Sequence, residues 1–264
     1  MKTVNEGSRC TYTVRDNGVA LMEINNPPMN ALSWAVLGEI RDTLSKSLAD
    51  KDVRAIVFTG AGKAFIAGAD ISELNDFTTA QEGADSLIRG QELSHLFMNA
   101  DKPIIAAING FCLGGGMEMA LACHIRFADE SATLGLPEIK LGIIPGYGGT
   151  QRTSRLIGPG RALEVILSGN FLNGRQAEAY GLVNRAVPKG TVVDEAMKLA
   201  GSIASKSRVS VQAALRAVLE GMSMDLHMGM RLERELFGTC YASEDKKEGV
   251  QAFLAKREPQ FKDR

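Results

Sequence analysis

The stretch that most restricts the fold runs from Ile104 to Arg126, IIAAINGFCLGGGMEMALACHIR. Ile104–Ile108 is an unbroken apolar run that stops at Asn109-Gly110, the pattern of a fully buried strand. Three glycines, Gly114, Gly115 and Gly116, then lead into a short apolar segment that carries one carboxylate, Glu118. A strand that turns directly into a helix presents bare N–H groups. The first amides of a helix have no internal partner, and the peptide dipoles add up there, so negative charge is favoured. Glycine lets a ligand approach that backbone closely. A carboxylate in the first helical turn is then placed for proton transfer beside a stabilised anion.

The remaining segments read consistently with a chain that mixes strands and helices. Thr11–Arg15 and Val19–Ile24 flank Asp16-Asn17-Gly18, a hairpin signal. Ser33 is placed to cap a helix reaching about Asp50, with Trp34, Leu37, Ile40, Leu44 and Leu48 on one face. Val53–Thr59 reads as a second buried strand and Gly60–Asp70 as a small-residue loop. A polar region from Asn75 leads into a helix ending near Asn99. His124–Ala128 and Ala132–Leu134 are further strands, and Pro137–Gly149 is a glycine- and proline-rich loop of functional type. Two helices, a short helix opening at Asn173-Gly174 and a late strand, Leu182–Val187, follow. From Thr191 the pattern is helical throughout. The expected organisation is an α/β core over residues 1–190 and a helical region over residues 191–264 whose methionines and leucines suggest subunit packing.

Charge narrows the class. Lysine plus arginine is 30 and aspartate plus glutamate 31, which argues against a general nucleic-acid binder. No apolar run is long enough for a membrane span, and the first residues lack a signal-peptide core. The four cysteines show no C-x-x-C spacing, so a reducing, cytoplasmic setting is expected.

The chemistry-bearing candidates are few. The three histidines, His95, His124 and His227, lack metal-like spacing, and no nucleophile elbow or P-loop is present. Two small-residue stretches each follow a buried strand, Ala67-Gly68-Ala69-Asp70 and Gly114-Gly115-Gly116. Two amides from two strand ends would form an oxyanion hole, worth roughly 3–4 kcal/mol per donor. The plainer reading is tight turns and close packing. Glu118 sits in an apolar helix, where an unpaired acid is costly to bury. Glu138 follows twenty residues later, after Pro137. Two nearby carboxyl groups in different surroundings supply an acid and a base. The competing reading leaves Glu118 in solvent and Glu138 paired with a surface lysine.

Three segments, KAFIAGADI (Lys63–Ile71), INGFCLGGGMEMALACHIRFA (Ile108–Ala128) and GLPEIKLGIIPGYGGTQR (Gly135–Arg152), resemble the enoyl-CoA hydratase/isomerase (crotonase) family. The likeness runs over nearly the whole chain. It implies a crotonase-like spiral of ββα units with a C-terminal helical trimerisation region, assembled as trimers or dimers of trimers. It implies an acyl-CoA thioester substrate, coenzyme A being part of that substrate, and no metal or other cofactor. Such enzymes serve fatty-acid β-oxidation and related pathways. By motif position the oxyanion amides are those of Ala69 and Gly115, and Glu118 and Glu138 are the hydratase glutamates. The implied reaction is reversible syn hydration of trans-2-enoyl-CoA, with Δ3,Δ2-isomerisation as the alternative and a non-catalytic RNA-binding homologue as a remote one. The resemblance places the CoA along Ala67, Ala69, Asp70, Ile71, Ser72 and Gly115, with Lys63, Phe253 and Lys256 reaching its phosphates or adenine. Ser72 replaces a lysine common in short-chain relatives. Tyr147 stands where many have alanine, so it narrows the acyl pocket or adds a hydroxyl there. Ile71, Leu113 and Tyr147 are the expected acyl-pocket residues.

Overall fold

The computed structural model describes residues 2–75 and 77–263. The chain opens with β1 (Lys2–Val4), β2 (Cys10–Val14) and β3 (Val19–Ile24), paired antiparallel, and α1 (Trp34–Ala49). Ser33 caps α1, its side chain accepting from the Val36 N–H. Three turns of a spiral follow, each with a strand, a shorter strand and helices. The first is β4 (Ala55–Gly60), β5 (Ala64–Ile66), α2 (Ile71–Leu74), α3 (Ala80–Ser86) and α4 (Ile88–Met98). The second is β6 (Ile104–Ile108), β7 (Phe111–Leu113) and α5 (Gly115–Ala122). The third is β8 (Ile125–Asp129), β9 (Thr133–Gly135), a 3-10 turn (Pro137–Leu141), α6 (Gly149–Ile157) and α7 (Pro159–Ser168). Then come β10 (Leu172–Asn173), α8 (Gly174–Tyr180), β11 (Arg185–Val187), α9 (Val192–Ala204), α10 (Arg208–Gly221), α11 (Leu226–Ala242) and α12 (Glu244–Leu254).

The first strands of successive turns pair in parallel, giving a seven-stranded sheet ordered β1-β2-β3-β4-β6-β8-β11. The second strands pair in parallel in a smaller sheet ordered β10-β9-β7-β5. Side chains alternate across a strand, so an unbroken apolar run needs cover on both sides. Ile104, Ala106 and Ile108 of β6 face the main core with α1 and α5, while Ile105 and Ala107 face a second cluster built on α9. There Val192, Ala196, Ala200 and Ala204 close the other side of the sheet. Thus α9, on the helical side of the expected division at residue 190, packs as part of the sheet's cover.

Two expectations change. Gly60–Asp70 is not a plain loop, because Ala64–Ile66 forms β5, and a further strand, β7, stands between β6 and the glycines. Each has three residues, too few to show a period, and each exists by pairing with its neighbour.

Candidate active site

The site begins where β5 and β7 end. These parallel neighbours run out at Gly68 (φ 123°) and Gly114 (φ 50°), backbone conformations that other residues rarely adopt. Each glycine stands immediately before a key amide. Leu32 N–H donates to the Gly68 carbonyl at 2.9 Å, and Asp70 N–H donates to the Leu32 carbonyl at 2.9 Å. Ala69 lies between these bonds, with its own N–H turned the other way, as alternate residues of a strand must be. Gly115 is the first residue of α5, so its N–H has no helical acceptor. Among the described residues neither N–H finds an acceptor. The two ends are held together by contact. A methyl group on Gly116 would lie 2.0 Å from the Ile66 carbonyl oxygen, so only glycine lets α5 rest on the end of β5.

Glu118 sits in the first turn of α5 and is 2% exposed. Its Oε1 accepts from the N–H groups of Tyr147 (2.8 Å) and Gly149 (2.6 Å). The loop that supplies them is fastened to α4: Gln91 Nε2 donates to the Gly146 carbonyl at 2.8 Å. Arg152 Nη1 donates to the Tyr147 carbonyl at 2.7 Å, and its Nη2 to Ser94 Oγ at 2.9 Å. Burial pushes the Glu118 carboxyl up to about 7. The Gly149 N–H opposes this, the charge of Glu138 adds to it, and the Tyr147 N–H and Arg152 oppose it. Glu138 lies on the 3-10 turn, and its carboxyl is also raised by burial. Its Oε2 is buried with no hydrogen-bond partner among the described residues. A methyl group on Gly114 would lie 2.9 Å from Glu138 Oε1, which sets this carboxyl beside the turn that delivers the Gly115 amide.

A cavity of about 130 Å³ joins these groups: Ala69, Gly115, Glu118, Glu138, Ala67 and Tyr147 all line it. Ile71, Leu141, Ile143 and Ile144 add aliphatic surface, Ile144 being 65% exposed. The competing reading, with Glu118 in solvent and Glu138 paired with a lysine, does not hold. Of the expected acyl-pocket residues, Ile71 and Tyr147 line the cavity, whereas Leu113 is half-buried and is not part of its lining. Burial, then the negative charges of Glu118 and Glu73, push the Tyr147 phenol up to about 12. Asp70 caps α2, accepting from the Ser72 N–H (3.1 Å) and Oγ (2.7 Å), so these two side chains satisfy each other. Lys63 is exposed before β5. Phe253, 83% exposed on α12, and Lys256 just beyond it do not line the cavity.

Several site residues escape a reading by motif. Asn30 is buried, and its Nδ2 reaches the carbonyls of Ala64 (2.8 Å), Ala61 (3.1 Å) and Phe65 (3.3 Å), which fixes the approach to Ala69. Arg152 lies near the start of α6, where the helix dipole disfavours a cation; that misplacement is a usable signal. A larger cleft of about 790 Å³ lies elsewhere, between the β2–β3 turn and the C-terminal residues. Its Arg54 is already engaged by Asp263 through two hydrogen bonds. The chemistry therefore selects the smaller cavity.

Two backbone N–H groups without acceptors and two carboxyl groups meet at one cavity, on a spiral of paired strands. A family model described as enoyl-CoA hydratase/isomerase matches residues 14–264. The chain is 45% identical over 251 residues to a probable enoyl-CoA hydratase of Bacillus subtilis (strain 168), covering 94% of this chain and 96% of the relative. It is 41% identical over 249 residues to a crotonyl-CoA hydratase of Syntrophomonas wolfei, covering 94% and 95%. The crystal structure of an enoyl-CoA hydratase from Bacillus anthracis matches with a TM-score of 0.92 at 37% identity, over 97% of this chain and 100% of that one. The chain belongs to the enoyl-CoA hydratase/isomerase family, and its fold is the crotonase-like spiral. Among the described residues no helix is long and apolar enough to cross a membrane.

Proposed function

We propose that the protein catalyses reversible syn addition of water to trans-2-enoyl-CoA, giving 3-hydroxyacyl-CoA, with short straight chains such as crotonyl-CoA as substrates. The observation that carries this is the pair of unpaired N–H groups, Ala69 and Gly115, facing the same cavity as Glu118 and Glu138. The thioester oxygen sits between the two amides. As water oxygen bonds to Cβ, the double-bond electrons move through Cα to the thioester oxygen, and fixed donors stabilise the charge there without reorganising. Glu118, whose Oε1 already accepts two N–H groups, is the base that takes a proton from the water. Glu138, whose Oε2 has no donor facing it, suits the protonated form and delivers a proton to Cα. The roles reverse in dehydration. The steps use side chains and backbone, with no metal or redox group assigned.

The reading extends to binding and assembly. The CoA lies along the backbone of Ala67 to Ser72, with Lys63, Phe253 and Lys256 as its outer contacts. The exposed apolar residues of the helical region, among them Met222 and Leu226 at 80% each, support a homotrimer or a dimer of trimers. The free cysteines, three of them buried, fit a cytoplasmic setting. The deciding experiment mixes purified protein with crotonyl-CoA and follows loss of enoyl-thioester absorbance. Catalysed loss is expected. Absence of hydration with crotonyl- through decenoyl-CoA would remove the proposal.

A further inference from the structure

A single peptide unit carries two hydrogen bonds that together reach the site. The N–H of Tyr147 donates to Glu118 Oε1 at 2.8 Å. The carbonyl of that same peptide belongs to Gly146, and it accepts from Gln91 Nε2 at 2.8 Å. In a trans peptide the N–H and C=O point in opposite directions, so holding one end aims the other. Gln91 thus stands at the outer end of a relay that runs from amide donor through peptide to carboxylate. Hydrogen bonds in such a chain polarise one another, so the outer bond strengthens the inner one.

Gln91 stands on a fixed platform. It lies on α4, whose Leu93 and Phe97 are buried in the core. One turn further on, Ser94 Oγ accepts from Arg152 Nη2 at 2.9 Å, and Arg152 Nη1 holds the next carbonyl, that of Tyr147, at 2.7 Å. One face of α4 therefore grips two successive carbonyls of the loop. The two grips differ in kind. Arg152 brings a charge that acts on Glu118 through space. Gln91 is neutral and lies outside the lining of the active-site cavity, so its effect on Glu118 travels through the peptide. The loop needs such a hold, because Gly146 has no Cβ to limit rotation of this peptide and Gly148 follows with φ 105°. Rotated by half a turn, the peptide would set a carbonyl oxygen, not an N–H, toward the carboxylate.

We infer that Gln91 is a positioning residue: it fixes the plane of the Gly146–Tyr147 peptide and so keeps an N–H on Glu118. The catalytic consequence rests on the hydratase reading; the structural one does not. Burial raises the Glu118 carboxyl, and the Tyr147 N–H is one of the donors that oppose the rise. Loosening that donor leaves the carboxylate less stabilised, so a higher pH is needed to hold Glu118 as a base.

The test compares wild type with Gln91→Met, which keeps length and neutrality but has no side-chain N–H, and with Gln91→Lys, which restores a donor. Hydrogen exchange at the Tyr147 amide is read by mass spectrometry, beside the pH profile of kcat/KM for crotonyl-CoA hydration. In Gln91→Met the Tyr147 amide should exchange about 3- to 10-fold faster, the protection lost with one hydrogen bond. The acidic limb should move up by roughly 0.5–1 pH unit, with kcat reduced and KM near that of wild type. In Gln91→Lys both the exchange and the limb should return toward wild type. Unchanged exchange at Tyr147 in folded Gln91→Met overturns the inference. So does a lowered kcat with an unmoved limb, which a merely structural loss would give. A wild type that hydrates no enoyl-CoA would instead overturn the hydratase reading, and the exchange comparison would still decide the role of Gln91.

Discussion

Replacing Glu118 with glutamine should stabilise the protein, and by an amount that depends on pH. The native state holds the Glu118 carboxyl at about 7, against an ordinary value of 4.5. Between those values the folded chain binds more protons than the unfolded one. Stability therefore falls as pH rises through this window, with no loss below 4.5 and the full loss above 7. At about 1.36 kcal/mol per pKa unit, the full loss is about 3 kcal/mol, most of which falls between pH 5 and pH 8. Glutamine cannot ionise, yet its carbonyl oxygen can still accept from the Tyr147 and Gly149 N–H groups. The assay is urea unfolding followed by fluorescence of Trp34, the single tryptophan, at fixed protein concentration because assembly contributes to stability. The stability difference, Glu118→Gln minus wild type, should grow by about 2–3 kcal/mol from pH 5 to pH 8. A difference that is flat with pH would show that Glu118 titrates like an exposed acid, and the burial argument would fail.

Other outcomes follow from single contacts. In Arg152→Gln the Tyr147 carbonyl loses its guanidinium donor and Glu118 loses a nearby positive charge, so the acidic limb of the kcat/KM profile should move to higher pH; an unmoved limb would leave Arg152 with packing alone. Gly116→Ala forces a methyl group against the Ile66 carbonyl oxygen and should destabilise the fold by roughly 1–3 kcal/mol, read as a lowered Tm, while separating the two oxyanion amides and reducing kcat. Sedimentation of the intact protein should give a trimer or hexamer, and a stable monomer would remove the assembly reading.

Much of this molecule is legible from its residues, for identifiable reasons. The Asn17-Gly18 hairpin, the Ser33 cap and the apolar run at Ile104–Ile108 are local signals, and each element forms close to where its signal lies. Glu118 stood out because an acid in Met117-Glu118-Met119 has no ordinary reason to be there. What stayed hidden depends on long-range pairing. β5 and β7 are three-residue strands that exist by pairing within the smaller sheet, and they lead directly to Ala69 and Gly115. The glycines are visible in the sequence, but the positive φ angles that Gly68 and Gly114 adopt just before the two amides are not. The donors to Glu118 come from the backbone of a loop some thirty residues away, which no side-chain pattern encodes. Asn30 reads as an ordinary turn residue until β5 is folded against it.

In the proposed hydration Glu118 acts as base and Glu138 as acid beside two backbone amides. The most direct measurement is the steady-state rate of crotonyl-CoA hydration by Glu118→Gln and Glu138→Gln, each beside wild type. Each substitution should lower kcat by at least ~100-fold, the scale of a lost general acid or base. A near-normal rate in either variant would contradict the role assigned to that glutamate and, with it, the paired-carboxylate mechanism.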